Sequence, residues 1–409
     1  TRIMSKHLGS MTMPDFFGKR YDSQSLRIAA SVIAFIFLIP YTASVYNGLS
    51  YLFGMAFDVD FRICVVVMAV LTGVYVIIGG YMATAWNDLI QGIIMLFGIV
   101  AVIAAVLSGH GGFMAAVKEL AQVPSSVMPG AYASFLGPDP ANLFGVVILT
   151  SLGTWGLPQM IQKFYAIKDE KAVHTGTIIS TLFAIVVSGG CYFLGGFSRI
   201  SGVKEAVDGT VKYDTIIPTM LSSLPDILIG IVIVLVLSAS MSTLSSLVLT
   251  SSSTLTLDFI KPLFVKKMNE KQQLVWMRVL LAGFILISVV IALDPPAFIA
   301  QLMGISWGAL AGAFLAPFLY GLYWKGVTRA AVWASFICGV GITVANMFFR
   351  FIASPINAGA FAMVAGLVIV PVVSLISPKL KKETVEDVFH CLEEKVMVEQ
   401  KLALPEEEE

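Results

Sequence analysis

Ten long apolar runs, separated by short polar stretches, occupy most of the chain: 27–55, 61–84, 88–107, 141–165, 173–197, 226–253, 274–293, 298–323, 328–349 and 359–377. About 20 apolar residues in a helix cross a hydrocarbon core of ~30 Å. Inside lipid the backbone has no water to bond, so only helices and closed barrels span. These runs are continuous rather than alternating, which predicts helices. The pattern therefore predicts an all-α polytopic membrane protein of about ten transmembrane helices. A polar segment at 1–26 precedes the helical domain at 27–377, and a charged tail at 378–409 follows it.

The polar positions between the runs set the orientation. With the first segment inside and the runs alternating, the inner loops hold 20 of the 26 Lys and Arg residues. Only Arg62, Lys118, Arg199, Lys204, Lys212 and Arg350 fall outside. Basic residues are retained on the cytoplasmic side, so both termini of this chain are expected in the cytoplasm and the protein in the plasma membrane. The outer stretches 110–140 and 199–225 contain Gly, Pro and Ser and read as irregular caps. In the tail, Val385, Val388, Phe389 and Leu392 are spaced for one weakly amphipathic helix, read as solvated. The acidic end, Glu406–Glu409, closes it.

Composition narrows the class further. Hydrophobic residues make up 57% and charged residues 13% of the 409, and the mean hydropathy is +0.87. A soluble domain carries about 25% charged residues, so lipid is the solvent here. Acidic and basic residues balance at 26 each, which argues against a nucleic-acid partner. Cys64, Cys191, Cys338 and Cys391 form no CxxC pair, so neither a disulfide framework nor a zinc site is predicted. The sequence has no nucleotide loop, HExxH or His–Cys cluster, and nothing in it reads as an enzyme's active site.

Candidate chemistry lies in four of the runs. The sixth carries Ser238-Ala239-Ser240-Met241-Ser242-Thr243-Leu244-Ser245-Ser246. Positions three and four apart share a helix face, so Ser242, Ser245 and Ser246 can converge, with the Ala239 carbonyl one turn earlier. Hydroxyls and carbonyls are the ligands a small hard cation takes. Membrane helices also spend such hydroxyls on their own backbone or on packing. Asp88 follows Trp86-Asn87 and reads either as a helix N-cap or as a carboxylate facing the bundle for a cation. The fourth run holds Thr150, Ser151, Thr154, Trp155, Gln159 and Gln162, interrupted by Gly153, Gly156 and Pro158. Broken midplane helices are where transporters bind solutes, although a plain proline kink leaves the same signature. Ser306–Gly312 offers a small-residue face suited to close helix packing.

Taken together, several motifs resemble the sodium:solute symporter family in order and spacing. They are Met11–Arg20 with its Pro-Asp-Phe-Phe core, Gly79–Ala83 followed by Trp86-Asn87-Asp88, Trp155–Ala166, Ser238–Ser246 and Ser306–Pro317. The resemblance implies a LeuT-like core of two inverted five-helix repeats with extra helices. It also implies that the Ala239 carbonyl and the Ser242 and Thr243 hydroxyls ligate one sodium ion. Ser245, Ser246 and Asp88 match a further sodium position held by some relatives. For the solute it points to Thr150, Thr154, Trp155, Pro158 and Gln159. Thr150 and Thr154 stand where sodium/proline symporters carry an aromatic pair, a departure that bears on proline as the solute.

The resemblance thus implies sodium-coupled symport of a small organic solute (an amino acid such as proline, an organic acid or a sugar) by alternating access. Na+ would be the co-transported ion, with the solute and the lipid bilayer as further partners. Members of the family have about three helices before the Pro-Asp-Phe-Phe motif. This chain opens on Thr1, after them, so a LeuT-like core with its N-terminal helices missing is expected, unable to drive uptake alone. The alternative is a non-transporting membrane fragment or sensor that keeps remnants of the same fold.

Overall fold

A computed structural model describes residues 1–167, 170–200 and 212–403, the side chains at 79–85, 87, 170 and 394–403 excepted. Among these residues nine helical stretches are long and apolar enough to cross a membrane, and a bent pair supplies a tenth span. In chain order the helices are α1 (Arg2–Leu8), α2 (Met13–Arg20), α3 (Gln24–Phe57), α4 (Phe61–Gly109), α5 (Phe113–Gln122), α6 (Pro140–Gly153), α7 (Pro158–Tyr165) and α8 (Glu170–Gly196). There follow α9 (Ile216–Leu221), α10 (Asp226–Thr254), α11 (Lys261–Leu263), α12 (Glu270–Leu293), α13 (Ile299–Tyr323), α14 (Arg329–Phe349), α15 (Pro355–Ile376) and α16 (Lys382–Ala403).

The expected spans are present, with two corrections of connection. The runs 61–84 and 88–107 continue into one another in α4, a helical stretch of 49 residues. Straight, it would be about 70 Å long. Yet its first ring, Phe61, lies 4.7 Å from Tyr51 of α3, while Ile99 and Val102 share an apolar cluster with the adjacent Leu52. Both halves thus lie beside the same end of α3, so α4 bends back on itself and supplies two spans. Asp88 therefore lies within a helix and does not cap one. The run 141–165 is split into α6 and α7. The outer stretch 110–140, expected to be irregular, contains α5.

α13 is the axis of the bundle. Small residues let its neighbours approach to backbone contact. A Cβ on Gly308 would lie 2.6 Å from the Gly359 Cα of α15, and one on Gly339 of α14 would collide with the Gly312 carbonyl carbon and the Ala313 nitrogen. Lipid gives helices no hydrophobic drive to associate, so such close van der Waals approach holds them. Two prolines inside these helices each free a carbonyl one turn back, and a neighbour's hydroxyl repairs each. Pro317 leaves the Ala313 carbonyl to Ser335 Oγ of α14 at 2.9 Å. Pro371 of α15 leaves the Leu367 carbonyl to the Tyr320 hydroxyl at 3.0 Å.

Remote side chains cap both ends of α13. At its start the Ile299 amide donates to Asp214 Oδ1 at 3.0 Å. Burial pushes the Asp214 carboxyl above the usual carboxylate range, and this amide pulls it partly back. At its end Arg20 donates from Nε to the Gly321 carbonyl at 2.8 Å and from Nη2 to the Trp324 carbonyl at 3.1 Å. A carboxylate at the amino end and a guanidinium at the carboxyl end both match the helix dipole and satisfy orphan backbone groups. The Pro-Asp-Phe-Phe motif carries Arg20 there. Thr12 caps α2, and Phe16 and Phe17 bury against Phe318 and Phe314 at 5.1 and 5.5 Å.

The tail departs from its sequence reading. α16 forms as the spacing predicts but docks instead of standing free in solvent. Val388 and Phe389 are buried, Phe389 covers the Arg20 guanidinium at 4.9 Å, and Lys325 pairs with Glu393 at 2.7 Å. The Lys- and Arg-bearing segments that the charge pattern assigned to the inside share one face of the bundle: Arg2 bonds the Ile167 carbonyl, Arg27 pairs with Asp258 and Arg329 with Asp22. Lys168, Lys204 and Glu406–Glu409 lie outside the described residues, as do the side chains of Lys395, Lys401 and the Gly79–Ala83 motif.

Candidate functional site

The fourth span breaks where its sequence forces it to. Pro158 cannot donate to the Thr154 carbonyl, and Leu157 turns to extended backbone at φ −94°, ψ 118°. A single 3-10 turn, Thr154–Gly156, separates α6 from α7, and the two helices are bent by 45°. Gly156 makes the break possible against α13, because a Cβ there would stand 2.5 Å from the Ala311 Cα. Beyond the break Gln159 is 3% exposed, and neither its amide nitrogen nor its carbonyl oxygen has a partner. A buried primary amide without partners is expensive, and this one opens on a cavity.

That cavity, of about 520 Å³, lies between α4, α7, α10 and α12. Gln159, Gln162 and Lys163 line it from α7, and Asp88 from α4. Ser246, Thr250 and Ser253 line it from α10, at the i, i+4, i+7 spacing of one helix face, and Arg278 from α12. Gln162 donates to Ser253 Oγ at 3.5 Å. Asp88 Oδ2 stands 3.5 Å from Lys163 Nζ, and Asp88 Oδ1 is buried without a hydrogen bond. The walls thus combine a carboxylate, hydroxyls and primary amides with apolar side chains such as Val76 and Leu281.

The α10 hydroxyls are turned back on their own helix. Thr243 donates to the Ala239 carbonyl at 2.9 Å, and Ser245 and Ser246 both donate to the Ser242 carbonyl at 3.0 Å. This is the competing backbone use open to such residues. It engages the hydroxyl proton and leaves the oxygen lone pairs, which are what a cation binds. Of the candidate ion ligands, Asp88 and Ser246 line the common cavity. Ser245 is buried next to it, while Ala239, Ser242 and Thr243 lie higher on α10 and do not line it. Of the candidate solute residues only Gln159 lines it. Pro158 is buried at the break, Trp155 is 47% exposed, and Thr150 and Thr154 spend their hydroxyls on the Val146 and Ser151 carbonyls.

Sequence reasoning missed Lys163 and Arg278, which counted only as loop charges, and noted the hydroxyls at Thr250–Thr254 without placing Thr250 or Ser253 in the site. The signal was available: Gln159, Gln162 and Lys163 are one helical face, as are Ser246, Thr250 and Ser253. Among the described residues no three His, Cys, Asp or Glu side chains converge as a transition-metal site would require.

Comparison with known proteins identifies the lineage. A model of the sodium:solute symporter family matches residues 2–339. The chain belongs to the sodium:solute symporter family. It is 28% identical over 346 residues to the sodium/pantothenate symporter of Haemophilus influenzae, covering 83% of this chain and 69% of that one. It is 26% identical over 377 residues to the osmoregulated proline transporter of Bacillus subtilis, covering 91% and 75%. A sodium/proline symporter of Staphylococcus aureus is 27% identical over 385 residues, covering 91% and 73%. The fold matches a solved structure of a Na+-coupled sialic acid symporter, in a substrate-bound outward-open state, with a TM-score of 0.70 at 16% identity, over 93% of this chain and 80% of that one. As a sodium:solute symporter with a LeuT-like fold, the chain is a multi-pass membrane transporter and not an enzyme.

Proposed function

We propose that this symporter moves sodium together with a small organic solute, an amino acid such as proline, an organic acid or a sugar, by alternating access. The observation that carries this reading is the cavity where a broken helix meets a carboxylate and a hydroxyl face. Gln159 brings an unpartnered buried amide from the break, suited to a polar solute. Asp88 and Ser246, with Ser245 beside them, bring oxygens suited to one sodium ion. The Ala239 carbonyl and the Ser242 and Thr243 hydroxyls, one to two turns along α10, are the candidate ligands of a second ion. Relatives named for pantothenate and proline support a solute of that size. The departure at Thr150 and Thr154 weighs against proline itself.

In this scheme sodium and solute bind one connected cavity, and each raises the affinity for the other by the same factor. The α6–α7 break allows α7 to move against α6 as the cavity opens to one side and then the other. The basic face of the bundle is the cytoplasmic face by the charge rule, which puts both ends of the chain inside.

The test is uptake of labelled proline, pantothenate and a panel of small sugars and organic acids into proteoliposomes, with and without an inward sodium gradient. One solute taken up only with sodium, and lost in Gln159→Leu, supports symport and would overturn the expectation that this chain cannot drive uptake alone. Sodium-dependent binding without uptake of any solute would instead support the fragment-or-sensor alternative.

A further inference from the structure

Lys163 stands in an unusual relation to the proposed ion site. Its Nζ is 3.5 Å from Asp88 Oδ2, a loose pair, with the lysine side chain 52% and the aspartate side chain 24% exposed. The other Asp88 oxygen is buried with no hydrogen bond. The carboxylate is thus half engaged, by an ammonium that water can readily take back, since a long lysine stem keeps its charged end in reach of solvent. Lys163 also sits one turn beyond Gln159 on the same face of α7, and both side chains line the cavity that Ser246 shares. α7 is eight residues long and joins α6 through the extended Leu157. Any shift of α7 that accompanies a solute on Gln159 therefore moves the ammonium relative to Asp88.

We propose that Lys163 is a tethered counter-cation, which holds the Asp88 carboxylate when sodium is absent and releases it when sodium binds. This rests on the reading of Asp88 as a sodium ligand. Two cations cannot share one carboxylate of this kind without mutual repulsion, so the ammonium competes with the ion. The competition does two things. It lowers sodium affinity, so that the ion leaves at the low sodium concentration of the cytoplasm. It also ties the ion to the solute, because solute on Gln159 and ammonium on Asp88 are borne by the same short helix. Lys163 is therefore a positioning residue for coupling and not itself a ligand of sodium or solute.

The experiment is a sodium titration of the purified chain in lipid nanodiscs at constant ionic strength, read as the thermal shift, for the unaltered protein and for Lys163→Gln, Lys163→Arg, Asp88→Asn and the Asp88→Asn/Lys163→Gln pair. Removing the ammonium should lower the half-saturating sodium concentration about five-fold or more, the lower end of ordinary site-to-site coupling. Lys163→Arg should stay near the unaltered value. In the Asp88→Asn background, Lys163→Gln should change nothing. Lys163→Met, which keeps the apolar stem, serves if the glutamine variant does not fold. An unchanged midpoint in the neutral variants, or an equal change in both backgrounds, overturns the proposal while leaving Asp88 as a ligand. If Asp88→Asn alone leaves the titration unchanged, or the unaltered chain shows no sodium shift, the ion-site reading fails and the proposal with it.

Discussion

α13 and α10 are both rich in small and hydroxyl residues, and the bundle uses them in opposite ways. α13 is buried along most of its length, whereas α10 is only partly covered from Asp226 to Leu237 and mostly buried from Leu244 onward. On α13, glycines admit backbone to backbone, a serine of α14 repairs its proline gap, its own Tyr320 repairs the gap in α15, and charged side chains close both ends. On α10, Ser245, Ser246, Ser252 and Ser253 bond carbonyls of their own helix, and Ser246, Thr250 and Ser253 turn a hydroxyl stripe toward a cavity. The difference teaches that a small side chain builds a seam only when a partner backbone fits against it. Where no partner comes close, the same residues leave room that polar atoms can line. One helix is a fixed post, the other a wall.

The sharpest way to break this contrast is to put a side chain into the seam. Gly339→Val would drive branched carbons into the α13 backbone, and overpacking with no flexible neighbour to yield should cost more than about 3 kcal/mol. Little monodisperse protein should be recovered from detergent, and what is recovered should melt earlier. Gly341, two residues along the same helix, faces open space. Gly341→Ala should be neutral or stabilising by up to about 1 kcal/mol, from helix propensity alone. If both variants behave alike, the seam is not what holds α14 to α13.

Next in size is the end of the post. Arg20→Met keeps much of the stem but removes both donors to the Gly321 and Trp324 carbonyls, a loss of about 2–3 kcal/mol for hydrogen bonds to a charged group. Thermal unfolding in detergent checks it, and a change in stability under about 0.5 kcal/mol would mean the cap is idle. At the other end Asp214→Ala removes a single amide's acceptor and should cost about 1 kcal/mol, as N-caps do. The smallest effect belongs to the wall. Ser246→Ala should leave stability within about 0.5 kcal/mol yet weaken sodium about five-fold, the worth of one ligand of hydrogen-bond strength. Sodium titration of this variant beside Ser245→Ala ranks the two hydroxyls, with the smaller shift expected for Ser245.

The spans were legible because lipid forces long apolar runs into helices, and the break at Pro158 because proline and glycine leave their mark wherever they stand. Gln159 could be picked out as a polar residue just past that break. The continuity of α4 through Asp88 was not legible: Trp86-Asn87-Asp88 interrupts the apolar pattern, and a short polar interruption reads as a loop. Nor could Arg20 or Lys163 be valued from sequence. Each looks like one more basic residue on the inner side, and what distinguishes them is a carbonyl end or a carboxylate supplied from far along the chain. The same holds for α16, whose amphipathic spacing was plain but whose docking partner was not.

The cap on Arg20 has a consequence for how the chain is made. Its acceptors lie 301 and 304 residues downstream, and the contact between His7 and the Asp387 carbonyl spans 380. At a synthesis rate of about 5–20 residues per second, those acceptors appear roughly 15–60 s after Arg20 has left the ribosome. Through that interval Phe16 and Phe17 also lack the α13 rings they will bury against. The nascent segment therefore waits at the membrane surface as an unpaired amphipathic strip, open to chaperones and proteases, and is sealed only when the last helices arrive.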